Sequence, residues 1–362
     1  MISLVAISSF LMTILGLPTL IKVAKLKRLV DEPGEERKIH HRSVPTIGGV
    51  MIFVALLFNF LFWSSFNFGS ESTGMVGQSL VMASLILIFF MGLKDDIIGV
   101  SPSKKLLTHM VIGGILVGIG GFQIHSFSGL FGVQELHEPI SIVFSVFVYI
   151  VIVNAFNLID GIDGLAAGYS AVAMGAFAFW FLSTGAYSEA ILALAAGGSM
   201  LGFLVFNFAP ARIFMGDCGS LVIGLIGYVL SVQLMNTPTE SIPDHLILVS
   251  KEVFAMGLLA YPLVDTLRVF CLRAARGISP FHPDRNHLHH RLMMRFGTHQ
   301  KTAVFVYVYS IVFCALPFLS SSFHGILSNE VFFFMLLGLA FACFIPILRS
   351  TKSDLKTELK SD

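Results

Sequence analysis

Charge is what this sequence has least of. Asp, Glu, Lys and Arg together supply 12% of the 362 residues and hydrophobic residues 55%, where soluble domains carry about 25% charged residues. With a mean hydropathy of +0.84, an ordinary soluble domain is excluded and a bilayer is the expected solvent. Cysteine is also scarce: Cys218, Cys271, Cys314 and Cys343 are dispersed, mostly in apolar runs, without a CxxC spacing. Neither a disulfide framework nor a zinc site is indicated. The first apolar stretch, residues 1–21, lacks a basic leading segment and a small-residue cleavage site, so it is read as a retained span. No internal repeat or separate soluble domain is evident. The net charge of +1 by itself argues neither for nor against nucleic acid; the placement of the charges decides, and nucleic acid is not among the expected partners.

What the chain does have is long apolar runs. A hydrocarbon core of about 30 Å needs roughly 20 mostly apolar residues per helix. Eleven runs qualify, near residues 1–21, 46–63, 75–93, 106–122, 140–158, 164–183, 187–206, 218–235, 249–270, 303–320 and 330–348. The expected fold is all-α, a single polytopic membrane domain over 1–362 with about eleven transmembrane helices. Alternate connections collect nearly all the basic charge: 22 of the 23 Lys and Arg lie in 22–45, 94–105, 157–163, 207–217, 268–302 and the tail after 348, with Lys251 alone on the other side. Glu71, Glu135, Glu138, Glu189, Glu240 and Asp244 fall in the opposite connections. Lys and Arg accumulate on the cytoplasmic side, which puts the N-terminus outside and the C-terminal tail, 349–362, inside. The cytoplasmic loops near 22–45, 94–105, 157–163, 207–217 and 271–302 then hold every notable polar motif.

Four constellations stand out. Lys94-Asp95-Asp96 ends the third run; adjacent carboxylates near hydrocarbon are costly unless a metal, a cation or a proton compensates them, although alone the pair is compatible with a solvated helix end. Between the fifth and sixth runs stands Asn157-Leu158-Ile159-Asp160-Gly161-Ile162-Asp163-Gly164. Asp160 and Asp163, three residues apart, can share one helical face while the glycines permit a tight turn. Hard oxygen ligands suit Mg²⁺. Asn207 is followed by Arg212-Ile213-Phe214-Met215-Gly216-Asp217-Cys218-Gly219-Ser220, a carboxylate between glycines at a helix start, where anions are also favoured. Phe214 is open to two readings, an interface aromatic or a platform for a base. The last is Ser279-Pro280-Phe281-His282-Pro283-Asp284-Arg285-Asn286-His287-Leu288-His289-His290-Arg291, with four of the twelve histidines inside nine residues. Without cysteine partners, and with Arg285 and Arg291 present, the cluster points to phosphate rather than to a soft metal. Asp31, Pro33, Arg37, Lys38, His40, Pro45, Gly48 and Gly49 in the first loop, and Lys104 and Lys105 before the fourth run, either enforce topology or bind phosphate. Acidic turns for Mg²⁺ and basic loops for phosphates on one membrane face are the equipment of phosphoryl transfer between a soluble nucleotide and a lipid.

At these residues the chain resembles the polyprenyl-phosphate N-acetylhexosamine-1-phosphate transferase family over nearly its whole length, with the first-loop pattern, Asp95-Asp96, NLIDGIDGLA, FMGDCGS and the histidine loop in the family's order. The resemblance implies transfer of a sugar 1-phosphate from a UDP-N-acetylhexosamine to undecaprenyl phosphate with release of UMP, in the inner membrane, at the start of a cell-envelope polysaccharide such as O-antigen, common antigen or a teichoic acid. It implies Mg²⁺, with Mn²⁺ as the alternative, held by Asp217. Asp95 would accept a proton from, or position, the lipid phosphate, with Asp96 in support. Asn157, Asp160 and Asp163 resemble the family's nucleotide and active-site residues, Phe214 its uracil-stacking aromatic, and His287, His289 and His290 its pyrophosphate-binding histidines. Lys38 and Lys105 are expected to bind phosphate; Asn207 and Arg285 join the substrate-binding set. A homodimer is implied by the resemblance alone. The form SPFHPDRNHLHHR is similar to the N-acetylglucosamine branch, which makes UDP-GlcNAc the expected donor; another UDP-N-acetylhexosamine and UDP-MurNAc-pentapeptide are the alternatives. Glu35-Glu36 before Arg37, and His109 where relatives commonly place glutamine, depart from the family pattern and bear on sugar or lipid choice. Direct in-line attack is favoured over an aspartyl intermediate. Outside the enzyme class the competing readings are a cation-coupled transporter and a non-catalytic scaffold.

Overall fold

The computed structural model describes residues 2–31, 44–66, 75–127, 129–244, 246, 250–277, 287–323 and 328–345. The expectations for Lys38 and Arg285, for residues 32–43 and 278–286 of the first and last cytoplasmic loops, and for the 349–362 tail lie outside the described residues.

Apart from turns, loops and an isolated bridge between Ser126 and Glu135, the described chain is helical, with one short ribbon in which β1 (Val30–Asp31) pairs antiparallel with β2 (Val44–Pro45). The helices are α1 (Ser3–Leu26), α2 (Gly49–Ser64), α3 (Met75–Ile98), α4 (Pro102–Gly114), α5 (Glu138–Leu158), α6 (Leu165–Ser183), α7 (Tyr187–Asn207), α8 (Asp217–Met235), α9 (Lys251–Leu258), α10 (Ala260–Ala275), α11 (Leu288–Phe296), α12 (His299–Ala315) and α13 (Asn329–Ala342). Among the described residues six helical segments are long and apolar enough to cross a bilayer: α1, α5, α6, α7, α8 and the run His299–Leu319 that begins as α12. The bent pair α9 and α10 makes a seventh if it is one span. This is an all-α, multi-pass membrane protein.

The other apolar runs are helical too, but each departs from a plain span. α2 and α13 have 16 and 14 residues. The end of α3 is charged, with Asp95 and Asp96 in its last turn and Lys94 just before them. α4 runs on as a π-helical turn, Ile115–Ile119. The ninth run, expected over 249–270, is broken: α9 and α10 meet at an angle of 75°. Pro262 accounts for the break. Lacking an N–H, it leaves the Leu258 carbonyl four residues earlier without a helical donor, and the Tyr169 hydroxyl on α6 donates to that oxygen at 2.6 Å. In a bilayer a freed backbone group needs such a partner from a neighbouring helix.

α8 is the central helix, buried without interruption from Cys218 to Val232. It packs between α3 and α5, while α7 packs on α1, α2 and α6. Large apolar side chains face outward around this core, among them Leu15, Phe58, Phe62, Phe90, Val143 and Phe147. An exposed apolar belt of this kind is stable against lipid and not against water.

Candidate active site

Successive helices reverse direction, so the C-terminal end of α3, the start of α4, the end of α5, the start of α6, the end of α7 and the start of α8 gather at one end of the bundle. This brings the acidic motifs of the sequence together. Asp217, the first residue of α8, accepts a hydrogen bond from Asn157 Nδ2 at the end of α5 at 2.7 Å, and Asn157 also donates to Ser220 Oγ at 2.9 Å. Lys105 on α4 donates to Asp95 Oδ2 at 2.9 Å and also to Asp217 Oδ2. One ammonium thus bridges carboxylates from α3 and α8. Burial works against the charge on Lys105, but Asp217 and Asp95 outweigh it and raise its pKa above the ordinary lysine value. Burial likewise pushes the Asp95 carboxyl up, yet Asp217, Lys105 and the Val100 amide, which donates to Oδ1 at 2.7 Å, hold it below the ordinary carboxylate value.

Asp96 has a different task. Its two oxygens accept the backbone N–H groups of Asp217 at 2.8 Å and Cys218 at 3.0 Å. These are orphan donors of the first turn of α8, and Gly216, at the N-cap, has no side chain with which to satisfy them. Asp96 therefore caps α8 from a neighbouring helix and fixes where Asp217 begins. Gly216 is required here: its φ is +72°, and a Cβ would lie 2.1 Å from the Thr46 carbonyl and 2.7 Å from Asp96 Oδ2. Burial lifts the Asp96 carboxyl to about 6. Asp160, at the turn after α5, is pushed well above the ordinary carboxylate range by burial and by the charges of Asp217 and Asp96.

The first-loop motif docks on the same spot. Phe214 N donates to the Pro45 carbonyl at 2.7 Å, and the amides of Gly48 and Gly49 donate to the carbonyls of Phe214 and Met215 at 2.9 and 2.8 Å. Pro45, Gly48 and Gly49 are thus the other half of the FMGD turn, and the Phe214 side chain stands half-buried beside it. Asn207 and Asp163, expected to meet substrate, are tied into the scaffold. Asn207 accepts from Gly164 N and donates to the Ile213 carbonyl, both at 2.9 Å. Asp163 accepts from Ala211 N at 2.9 Å and lies 3.4 Å from His299 Nδ1. Both lock the turn at 157–164 to the loop at 207–217.

The histidine segment packs on this turn. A Cβ at Gly161 would lie 2.6 Å from His289 Nε2, and the His289 and His290 rings are 4.3 Å apart. Behind them stands Asp265 of α10, fully buried, 3.3 Å from Nδ1 of both His287 and His289. The sequence reading passed over Asp265; its signal was a lone carboxylate inside an apolar run. Tyr307, whose hydroxyl donates to the Gly164 carbonyl at 2.5 Å, carried no such signal.

The site therefore offers four clustered carboxylates, Asp95, Asp96, Asp160 and Asp217, against one bridging ammonium. All its anionic donors are hard oxygens, and the repulsion among them is what a divalent cation relieves. The donor set fits Mg²⁺ or Mn²⁺.

Comparison with known proteins identifies the family. Residues 78–235, from α3 to the end of α8, match the glycosyl transferase family 4 model. The undecaprenyl-phosphate alpha-N-acetylglucosaminyl 1-phosphate transferase of Escherichia coli (strain K12) is 29% identical over 88% of this chain and 83% of its own length. The enzyme of the same name from Yersinia pestis is 30% identical over 76% and 72%. The probable undecaprenyl-phosphate N-acetylglucosaminyl 1-phosphate transferase of Bacillus subtilis (strain 168) is 30% identical over 84% of this chain and 80% of its own. With its acidic core spanning the matched region and its similarity running well beyond it, the chain belongs to glycosyl transferase family 4, among the membrane phosphotransferases of the polyprenyl-phosphate N-acetylhexosamine-1-phosphate type.

Proposed function

We propose that this enzyme transfers N-acetylglucosamine 1-phosphate from UDP-GlcNAc to undecaprenyl phosphate, releasing UMP, at the cytoplasmic face of the inner membrane. The observation that carries the reading is the Lys105 ammonium between Asp95 and Asp217, at a bundle end where the acidic turn and the histidine segment also meet. The names of the relatives support the substrates, and the Lys and Arg asymmetry supports the cytoplasmic orientation. In the reaction an oxygen of the lipid phosphate attacks the β-phosphorus of the donor. The bond from that phosphorus to the bridging oxygen breaks, and UMP leaves with the electron pair.

Asp95, with Lys105 beside it, positions the attacking phosphate and takes its proton where it arrives as the monoanion. Asp217, with Asp160 and Asn157 around it, would hold Mg²⁺ or Mn²⁺, which when bound supplies positive charge to the donor's phosphate oxygens. Asp96 does not touch substrate; it holds Asp217 in place through the first turn of α8. Phe214 offers a face to the uracil ring, and His287, His289 and His290 offer donors to the diphosphate, with Arg285 and Lys38 completing the basic rim. Acids gathered at a span end, rather than at mid-bilayer, disfavour the transporter reading.

The test is UMP release by purified protein in detergent with undecaprenyl phosphate, Mg²⁺ and a panel of UDP-sugars. Release is expected with UDP-GlcNAc, only with lipid present, abolished by EDTA and restored by Mg²⁺. Asp217→Asn should cost about 10²-fold or more in kcat. Release with another UDP-N-acetylhexosamine alone would keep the chemistry and replace the donor. No release with any donor, from folded protein, would overturn the transferase reading.

A further inference from the structure

One fully buried carboxylate is a group the transfer chemistry does not touch. Asp265 lies in α10, on the apolar run beyond the break at Leu259, and is 0% exposed. A carboxylate buried in a membrane helix persists only where donors compensate it. Two hydrogen bonds and one close contact do so, all from one short stretch. Oδ1 accepts the Leu288 backbone N–H at 2.7 Å, and Oδ2 faces His287 Nδ1 and His289 Nδ1, each at 3.3 Å.

The consequence is geometric. The Leu288 amide is the first of α11, so the carboxylate caps that helix from across the fold, where the N-cap residue His287 makes no side-chain cap. With Nδ1 of both rings turned to Asp265, each imidazole presents its Nε2 edge away from α10. His287 and His289 are nearly parallel, 17° between planes with centroids 5.5 Å apart, and His289 Nε2 abuts Gly161 in the acidic turn. A carboxylate accepting Nδ1–H fixes the tautomer and orientation of an imidazole, and leaves the far nitrogen with a defined role.

We infer that Asp265 is the positioning residue of the histidine pair: it holds His289 through Nδ1–H and stands against Nδ1 of His287, so that both Nε2 edges face the donor's diphosphate. Asp265 meets no substrate atom itself. The inference rests on the proposed diphosphate role of these histidines, and the experiment separates the two.

Affinity for UDP and UMP is measured by calorimetry on the full-length protein in detergent, together with KM for donor and lipid, in Asp265→Asn, His287→Ala, His289→Ala, the pair His287→Ala/His289→Ala and that pair combined with Asp265→Asn. The expected result is a loss of UDP affinity of about tenfold or more in Asp265→Asn, the size of effect that removing a histidine's carboxylate partner has at metal sites. UMP affinity, which owes less to the second phosphate, should fall less, and KM for the lipid should stay put. Added to the pair His287→Ala/His289→Ala, Asp265→Asn should cost no further UDP affinity, since Asp265 acts through the two rings. Additive losses would mean a merely structural role and would overturn the proposal. If His289→Ala and His287→Ala leave UDP affinity unchanged, the diphosphate reading of the histidines fails. If they weaken it and Asp265→Asn does not, only the positioning role fails. Should Asp265→Asn not yield monodisperse protein, His289→Asn decides: its amide can keep the contact to Asp265 but has no Nε2 edge. The expected result is a wild-type melting temperature with weakened UDP binding, and wild-type UDP binding would overturn the proposal. One transition metal ion retained per chain, and lost on His289→Ala, would also overturn it by making the three residues a metal site.

Discussion

Asp95 and Asp96 are neighbours in sequence with opposite duties. Asp95 shares Lys105 with Asp217, whereas Asp96 spends both oxygens on the first amides of α8. Their titration should separate them. Burial lifts the Asp96 carboxyl to about 6, against 3.8 for an ordinary aspartate. Above that value the carboxylate caps α8; below it one oxygen carries a proton and an amide loses its acceptor. The activity should therefore fall as pH drops through about 6. The fold should not fail with it: because the native value is raised, the folded protein binds this proton more tightly than the unfolded chain. The contribution of Asp96 to stability thus decreases as pH rises from the unfolded to the folded value and is fully recovered on acidification. Rate–pH profiles beside melting curves test this. In Asp96→Asn, which cannot titrate, the acidic limb should move to lower pH at a reduced plateau rate; an unmoved limb would assign it to another group.

At the scale of elements, the break between α9 and α10 is held by one hydroxyl. Tyr169→Phe removes the donor to the Leu258 carbonyl and leaves a buried acceptor unpaired, at a cost of about 1–3 kcal/mol. The expected outcome is a lowered melting temperature in detergent with kcat nearly unchanged, because the Tyr169 hydroxyl is spent on the Leu258 carbonyl and not on the acidic cluster; an unaltered melting temperature would mean that the break is held by packing alone. This break shows where sequence reading stops. Hydropathy sums over a window, so residues 249–270 read as one span. Pro262 was visible, but whether a proline bends, kinks or ends a helix depends on the partner that takes its orphan carbonyl, and Tyr169 is 93 residues away in sequence. The helical content and the meeting of motifs at span ends were legible, since both follow from apolar runs and chain reversal. The division of labour within the motifs was not. Asn207 and Asp163 are polar residues in a functional loop, yet their side chains stitch backbone to backbone, and only the packing of α7 against α6 reveals it. Asp265 is the reverse case: reading by motif favours clusters, and its partners come from a loop more than twenty residues on.

For the molecule as a whole, the acidic cluster, the first-loop ribbon and the histidine segment occupy one end of the bundle, and the turn around Glu240 follows the far end of α8. Most Lys and Arg fall in the connections expected at the first end, the ground on which this end is proposed to face the cytoplasm. Lys104 and Glu240 are both exposed, as is the native Cys271, while Cys218 is buried. With Cys271, Cys314 and Cys343 replaced by alanine, a cysteine at position 104 or 240 becomes an address for a membrane-impermeant maleimide. Glu240→Cys should be labelled from outside intact cells, and Lys104→Cys only in inverted vesicles. A saturating mixture of UDP and Mg²⁺ should slow labelling at 104, which lies one residue from the Lys105 bridge, and leave 240 unaffected. Labelling of Lys104→Cys from outside would invert the topology and put the site on a face that UDP-sugars do not reach. Labelling at 104 that ignores UDP and Mg²⁺, in protein shown to bind both, would detach the carboxylate cluster from the nucleotide.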